Sequence, residues 1–341
     1  MTVERKPTIR EAYVEASSFL QGHRVNEAAS CAELLLQHLC GWSRSELLLR
    51  WQELFPVERL EEWRRLLERK AAGEPVQYII GEQEFYGLPF TVNPAVLIPR
   101  PETELLVEQV VLLGRKLWSD GSARHKRNDV GADHAERAAD RKPDMRQAEG
   151  ELRLQRREPP LVADIGAGSG AIAVTLAVQC PEWRLMSSDI SPAALAIARD
   201  NARRNGVEGR VAFLEGDLLK PYIEQGLRLD AVVSNPPYIP EADEEGLQPE
   251  VRLYEPPSAL YGGKDGLELY RRLIAQLAEL AAMPSLVGLE VGMGQASAVA
   301  QMLSAAAKWD EVQIIPDLAG IDRHVIAVRY NEPEMQTGSV E

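Results

Sequence analysis

Leu161-Val162-Ala163-Asp164-Ile165-Gly166-Ala167-Gly168-Ser169-Gly170 decides the architecture of this chain: an apolar strand runs directly into alternating glycines, and Ala171 to Val178 behind them is helical in pattern. Glycines allow positive φ and close approach of backbone to a ligand, and the helix start behind them offers N–H groups with no intrahelical partner. Such a loop suits a tight strand-to-helix turn, a nicotinamide cofactor or another nucleoside-bearing cofactor. The residues on either side must separate these readings.

Downstream, apolar runs alternate with helical patterns in the order of a doubly wound α/β domain. Strands are expected at Leu161–Ile165, Arg184–Asp189, Val211–Glu215, Asp230–Ser234 and Leu286–Val291. Two last runs, Val312–Ile315 and His324–Arg329, are joined by Pro316-Asp317-Leu318-Ala319-Gly320, too short for a crossover helix, so they pair antiparallel. A parallel sheet ending in such a hairpin resembles the seven-stranded, Rossmann-like methyltransferase fold. Asp189 ends the second strand, where a carboxylate can accept both hydroxyls of a ribose. Asp217 follows the third, and is either a receiver for an adenine amine or a solvated turn residue. The loop lacks the third glycine of the dinucleotide spacing, and no second half-site for nicotinamide is evident.

The fourth strand ends in Asn235-Pro236-Pro237-Tyr238. A side-chain carbonyl, a stiff backbone carbonyl and a ring face at one point suit a planar NH2 group: two acceptors hold its hydrogens, and the ring covers its π face. The prolines fix φ and have no N–H to donate, so the turn is rigid and its carbonyls stay free. A methyl-donor site beside an amine holder is the more coherent pair. Tyr238 is expected to stack on the substrate. Arg100 and Glu102 either border the donor or, for Glu102, cap a helix, and Gly262-Gly263-Lys264-Asp265-Gly266 either closes over the site or turns into a helix.

Upstream lies a helical unit. Thr8 and Glu11 have capping-box spacing, and Ile9, Ala12, Tyr13, Ala16, Phe19 and Leu20 recur at helical period. Further helices are expected around Asn26–Leu39, Arg44–Trp51 and Pro56–Ala72, making a bundle over residues 1–72. Residues 73–95 are punctuated by Gly and Pro and read as a β-hairpin linker, and residues 96–331 form the catalytic domain. Pro101 and two early acids open a helix running to about Leu117. From about 119 to 158 mixed charges and few large apolar residues predict a flexible insertion.

The 341 residues allow about two domains with enough core to fold unaided. No apolar run approaches the roughly 18 residues of a membrane span, and the start has no signal-peptide segment, so a cytoplasmic enzyme with no membrane partner is expected. Cys31, Cys40 and Cys180 have no metal-ligand spacing, and Cys31 and Cys40 read as small buried hydrophobes. No metal is expected. A net charge of −14 argues against a stand-alone binder of duplex phosphate.

Motifs in both domains carry a resemblance: Gly73-Glu74-Pro75-Val76-Gln77-Tyr78-Ile79, Phe85-Tyr86-Gly87, Val96 to Glu104 (Val-Leu-Ile-Pro-Arg-Pro-Glu-Thr-Glu), Pro249-Glu250-Val251, Glu255-Pro256, Ala259-Leu260, Gly262-Gly263, Asp265-Gly266-Leu267 and Asp317 to Arg323. With Asn-Pro-Pro-Tyr, which adenine-N6 and cytosine-N4 DNA methyltransferases share, the chain resembles the protein-(glutamine-N5) methyltransferases that modify peptide chain release factors. The resemblance implies S-adenosyl-L-methionine as donor, S-adenosyl-L-homocysteine as product and the glutamine of the release-factor Gly-Gly-Gln loop as acceptor. It implies that Gly166, Ala167, Gly168, Ser169, Gly170 and Asp189 hold the donor, with Asp217 and Leu218 near the adenine; the family often has an aromatic close to Leu218. Asn235 would meet donor and substrate; Pro236, Pro237 and Tyr238 would complete the substrate pocket. The helical domain would dock the release factor. By default a monomer is expected, and the acidic charge argues against direct nucleic-acid contact. The insertion is longer than such enzymes usually carry. The alternative is a nucleic-acid amino methyltransferase.

Overall fold

A computed structural model describes residues 6–118 and 158–330. The insertion expected at about 119–158 lies, apart from Glu158, outside the described residues.

The N-terminal unit packs helices α1 (Ile9–Gly22), α2 (Ala28–Cys40), α3 (Arg44–Leu49) and α4 (Leu60–Ala71). Two of them start on complete capping boxes. Glu11 N–H donates to the Thr8 hydroxyl at 3.2 Å while Thr8 N–H donates to the Glu11 carboxylate at 2.7 Å, and Ser43 and Glu46 repeat the arrangement. The stripes inside, including Ile9, Leu20, Leu35, Leu36, Leu47, Trp63 and Leu66, make one core. Cys31 is buried in it; Cys40 is half-buried.

The segment from Gly73 departs from the hairpin expected there. Val76–Ile80 is a short helix, α5, because Val76 and Ile79, three residues apart, face the same way and complete the bundle core. Gly81, at φ 84°, ends it. The hairpin is the next pair, β1 (Glu82–Phe85) and β2 (Leu88–Thr91), turned through Tyr86 and Gly87, both at positive φ as a type I′ turn requires.

Helix α6 (Pro101–Trp118) precedes a seven-stranded sheet. Its strands are β3 (Leu161–Ile165), β4 (Arg184–Asp189), β5 (Val211–Glu215), β6 (Ala231–Ser234), β7 (Leu286–Glu290), β8 (Glu311–Pro316) and β9 (Asp322–Val328), in the order β5-β4-β3-β6-β7-β9-β8. The first five are parallel, and β9 runs antiparallel to both β7 and β8, as the short connecting turn demanded. Alternate residues face opposite layers. Val162, Val233, Leu286 and Ile326 pack against α6 and α7 (Ala171–Gln179), whereas Ala163, Val232, Val287 and Ala327 pack against α11 (Glu268–Leu277) and α12 (Ala296–Ala306). Helices α8 (Pro192–Arg204), α9 (Lys220–Glu224) and α10 (Pro249–Tyr254) complete the chain order.

Strand order reverses between β3 and β6, which is where an open α/β sheet leaves a crevice at its carboxyl edge. The register pairs Ile165 with Ser234, and the Ser234 hydroxyl donates to the Ile165 carbonyl at 2.6 Å. Gly166 and Asn235 therefore emerge side by side.

One ion pair joins the helical unit to the segment that follows the Asn-Pro-Pro-Tyr turn. Lys70 is only 1% exposed, and its Nζ donates to Glu250 Oε1 at 2.6 Å and to the Glu74 carbonyl at 3.1 Å. Breaking a pair with a buried member strands its partner, so Lys70→Ala is expected to cost about 1–3 kcal/mol, the half-exposed Glu250 keeping the loss below that of a fully buried pair. Urea unfolding reads the loss. An unchanged midpoint would show that the pair adds nothing.

Candidate active site

A cavity of about 340 Å³ opens at the switch point. Its walls include Gly166, Ala167, Gly168, Ser169, Asp189, Asp217, Leu218, Asn235 and Pro237. Gly170, Pro236 and Tyr238 are outside the wall. The register brings most of the expected residues together across more than seventy positions of sequence.

Gly166 and Gly168 have φ of 82° and 51°, and nothing lies within 4 Å of a Cβ built at either, so open space faces the loop. Gly170 serves another end: at φ 82°, its Cβ would stand 3.1 Å from that of Ala198, so it lets α7 and α8 close on each other. Asp189 braces the loop. Its Oδ2 accepts Gly168 N–H at 2.9 Å and its Oδ1 accepts Ser191 N–H at 2.8 Å. Each oxygen keeps a second lone pair, enough to accept from a vicinal diol. Beneath, Asp164 is fully buried, accepts the Ser187 hydroxyl at 2.9 Å and is pushed up to about 8 by burial, so it stands mainly protonated at neutral pH.

Asp217 lies on the wall with its Oδ2 already engaged by Arg272 at 2.5 Å and Lys220 at 2.8 Å. Burial works against its charge, but these two cations outweigh it and hold the carboxyl below its ordinary value. It is neither a solvated turn residue nor a lone acceptor. Leu218 follows at φ 55°, a left-handed backbone that a leucine seldom adopts, and presents an aliphatic face to the cavity.

Asn235 Nδ2 donates to the Thr103 hydroxyl at 3.1 Å, and Thr103 Oγ1 donates to Glu290 Oε2 at 2.6 Å. With its NH2 committed there, the Asn235 amide has its oxygen left as an acceptor for the cavity side. Pro236 is buried. Tyr238 packs with the core beside Gly292, and burial pushes its phenol up to about 12. Its backbone carbonyl accepts Gln295 Nε2 at 2.8 Å.

The glycine turn of residues 262–266 leads into α11 and lies backbone-to-backbone on the Asn-Pro-Pro-Tyr turn. A Cβ at Gly262 would fall 2.5 Å from the Pro237 carbonyl oxygen, and one at Gly266 2.2 Å from that of Tyr238. Pro256, Ser258, Ala259 and Tyr261, just before it, wall the cavity. The turn itself is off the wall and leads into α11, as the helix-entry reading has it. Arg100 is on the wall and paired at 2.5 Å with Glu255, while Glu102 is off it and its carbonyl accepts His324 Nε2–H at 3.0 Å. Burial lowers His324 to about 4, keeping the imidazole neutral.

Sequence reasoning missed Thr103 and Glu290. Both sit inside quoted or predicted elements, but Thr103 stands between two glutamates at a helix start and Glu290 ends an apolar strand, and only the packing of α6 on β7 joins them to Asn235. Among the described residues, no cluster of His, Cys, Asp or Glu could hold a metal ion, and no helix is long and apolar enough to cross a membrane.

A family model described as PrmC N-terminal domain matches residues 11–81, and one described as Methyltransferase small domain matches residues 152–248. Release factor glutamine methyltransferase of Moorella thermoacetica is 40% identical, over 95% of this chain and 100% of its own length. Those of Bacillus anthracis and Bacillus subtilis are each 37% identical, over 94% of this chain and 98% of theirs.

Proposed function

Since the chain belongs to the release factor glutamine methyltransferase family, we propose that it methylates the side-chain amide nitrogen of the glutamine in the Gly-Gly-Gln loop of a peptide chain release factor, with S-adenosyl-L-methionine as donor. The observation that carries this reading is the adjacency of the Gly166–Ser169 loop and Asn235 across the Ile165–Ser234 register. A donor loop and an amide holder then share one cavity.

Gly166 to Ser169 would take the methionine end of the donor and Asp189 the ribose, with Asp217 and Leu218 near the adenine. Open space at Gly166 and Gly168 fits close backbone approach, and the free lone pairs of Asp189 fit a diol. The donor would supply an electrophilic methyl on a good leaving group. An amide nitrogen is a poor nucleophile because its lone pair is delocalised into the carbonyl, so the protein's task is to orient and polarise it. Asn235 Oδ1 and the Pro236 carbonyl accept the two amide hydrogens, drawing density toward nitrogen as it pyramidalises. Tyr238, whose side chain lies behind the turn, supports the substrate face from there, and Pro237 closes the wall between donor and acceptor. The proton leaves after methyl transfer. The helical unit serves as the docking domain for the release factor, and the enzyme works in the cytoplasm as a monomer.

Asp189→Ala is expected to weaken donor binding about tenfold to a hundredfold, the scale of losing hydrogen bonds to a charged group. Calorimetric titration with S-adenosyl-L-homocysteine measures it; unchanged affinity would remove Asp189 from the site. The function itself is tested by mass spectrometry of release factor incubated with enzyme and donor. One added methyl on the loop glutamine is the expected product, and methylation of DNA in its place would establish the nucleic-acid alternative.

A further inference from the structure

The Asn235 amide must show its oxygen to the substrate, yet an amide can turn end for end at little steric cost. Something has to set its direction. Asn235 Nδ2 donates to Thr103 Oγ1 at 3.1 Å and also faces the Glu290 carboxylate, and Thr103 Oγ1 donates to Glu290 Oε2 at 2.6 Å. Thr103 is 5% exposed and Glu290 1%. A hydroxyl has one hydrogen. Because Thr103 gives its hydrogen to Glu290, it can only accept from Asn235, which places NH2 on that side.

We infer that Glu290 and Thr103 are positioning residues for the methyl transfer: the ionised carboxylate, acting through the Thr103 hydroxyl, locks the Asn235 amide with its oxygen toward the acceptor nitrogen. The inference rests on the proposed role of Asn235. Glu290 lies off the cavity wall and touches no substrate. Its part is to be a pure acceptor, since a carboxylate has no hydrogen to give and so polarises every donor around it in one direction. A protonated carboxyl gives up that property. It would donate to Thr103, whose own hydrogen would then be free to meet Asn235 Oδ1, turning the amide and presenting NH2 to NH2.

Burial pushes Glu290 up to about 7, against the pull of the Thr103 hydroxyl and Arg323. The titratable and charged groups facing it are Glu102 from α6, Arg323 and His324 from β9, Tyr238 from the turn after β6 and Tyr270 from α11, whose hydroxyl donates to the Glu290 carbonyl at 2.7 Å. Arg323 is itself paired with Asp317 at 3.4 Å, and His324 is neutral, so neither holds Glu290 ionised by direct contact. Only the ionised carboxylate is a pure acceptor, so the active form is the deprotonated one. Methylation should climb as pH rises through about 7 and level off above it.

The test measures kcat for release-factor methylation from pH 6 to 9, with affinity for S-adenosyl-L-homocysteine measured in parallel. In Glu290→Gln one carboxylate oxygen becomes an NH2, so the side chain can donate to Thr103 as well as accept from it and no longer fixes the direction of the hydroxyl. Its kcat at pH 8.5 should fall about tenfold or more, the scale of misdirecting one preorganised polar contact, with product affinity within about twofold and the limb near pH 7 gone. Thr103→Val should fall comparably, Thr103→Ser should recover most of the rate, and the double variant Glu290→Gln/Thr103→Val should be no slower than Thr103→Val alone, because Glu290 acts through Thr103. If Glu290→Gln does not fold, the valine and serine variants carry the test. Wild-type kcat in Glu290→Gln or Thr103→Val, a limb that persists in them, or product affinity falling in step with rate overturns the inference. Failure of the unaltered chain to methylate the loop glutamine overturns the functional reading, a separate result.

Discussion

Asn235→Ala is expected to lower turnover at saturating release factor and donor by about tenfold to a thousandfold, the range for losing one preorganised contact to the reacting group. The loss should fall mainly in kcat. The donor loop and Asp189 are untouched by the change, and Asp189 keeps Gly168 and Ser191 in place through its own two hydrogen bonds. What disappears is the acceptor that draws density onto the glutamine nitrogen as it leaves planarity, an interaction stronger in the transition state than in the ground state. Single-turnover transfer from labelled donor separates this from a slower product release. Near-normal turnover would sink the assignment of Asn235 as amide holder. The removed side chain also frees the Thr103 hydroxyl of its donor, so the variant should lose the dependence on Glu290 as well.

Gly266→Ala is expected to reduce turnover by at least about tenfold, although it sits thirty-one residues beyond Asn235 and off the cavity wall. Two costs combine. Its φ of 72° is left-handed, and its Cβ would lie 2.2 Å from the Tyr238 carbonyl oxygen and 2.5 Å from Gln295 Nε2, on top of the 2.8 Å hydrogen bond that joins them. A backbone carbonyl cannot swing away as a flexible side chain can. The Asn-Pro-Pro-Tyr turn must therefore shift, and a displacement of about 1 Å at a reacting group can cost on the order of a hundredfold in rate. Overpacking of this kind also lowers stability by about 1–3 kcal/mol. Denaturant unfolding and turnover measured together separate the effects: a stability loss with full activity in the folded fraction would show that the turn does not aim the site.

Much of the fold was legible because it rests on periodicity. The capping box at Thr8, the parallel strands and the closing antiparallel hairpin appear where the patterns put them, with ends shifted by a residue or two. Residues 76–80 depart from the expected hairpin because a short β-prone run, Val76-Gln77-Tyr78-Ile79-Ile80, suits a strand as well as a short helix. The bundle core, which accepts Val76 and Ile79 on one face, settled it. Asp217 was legible as a site neighbour but not as half of an ion-pair cluster, since Arg272 comes from a helix fifty-five residues away.

The sequence by itself determined the chemistry on offer: glycines that admit a ligand, a carboxylate ending the next strand, and a rigid turn whose prolines have no N–H to donate, each set by local backbone constraints that act wherever the chain goes. Only the tertiary structure decided direction. That Gly166 and Asn235 stand side by side follows from the strand register at the switch point, and that the Asn235 oxygen faces the cavity follows from Thr103 and Glu290, brought from α6 and β7. An amide carries a donor and an acceptor at nearly equal steric cost, so no local pattern can choose between its two orientations. A buried carboxylate, which can only accept, makes that choice.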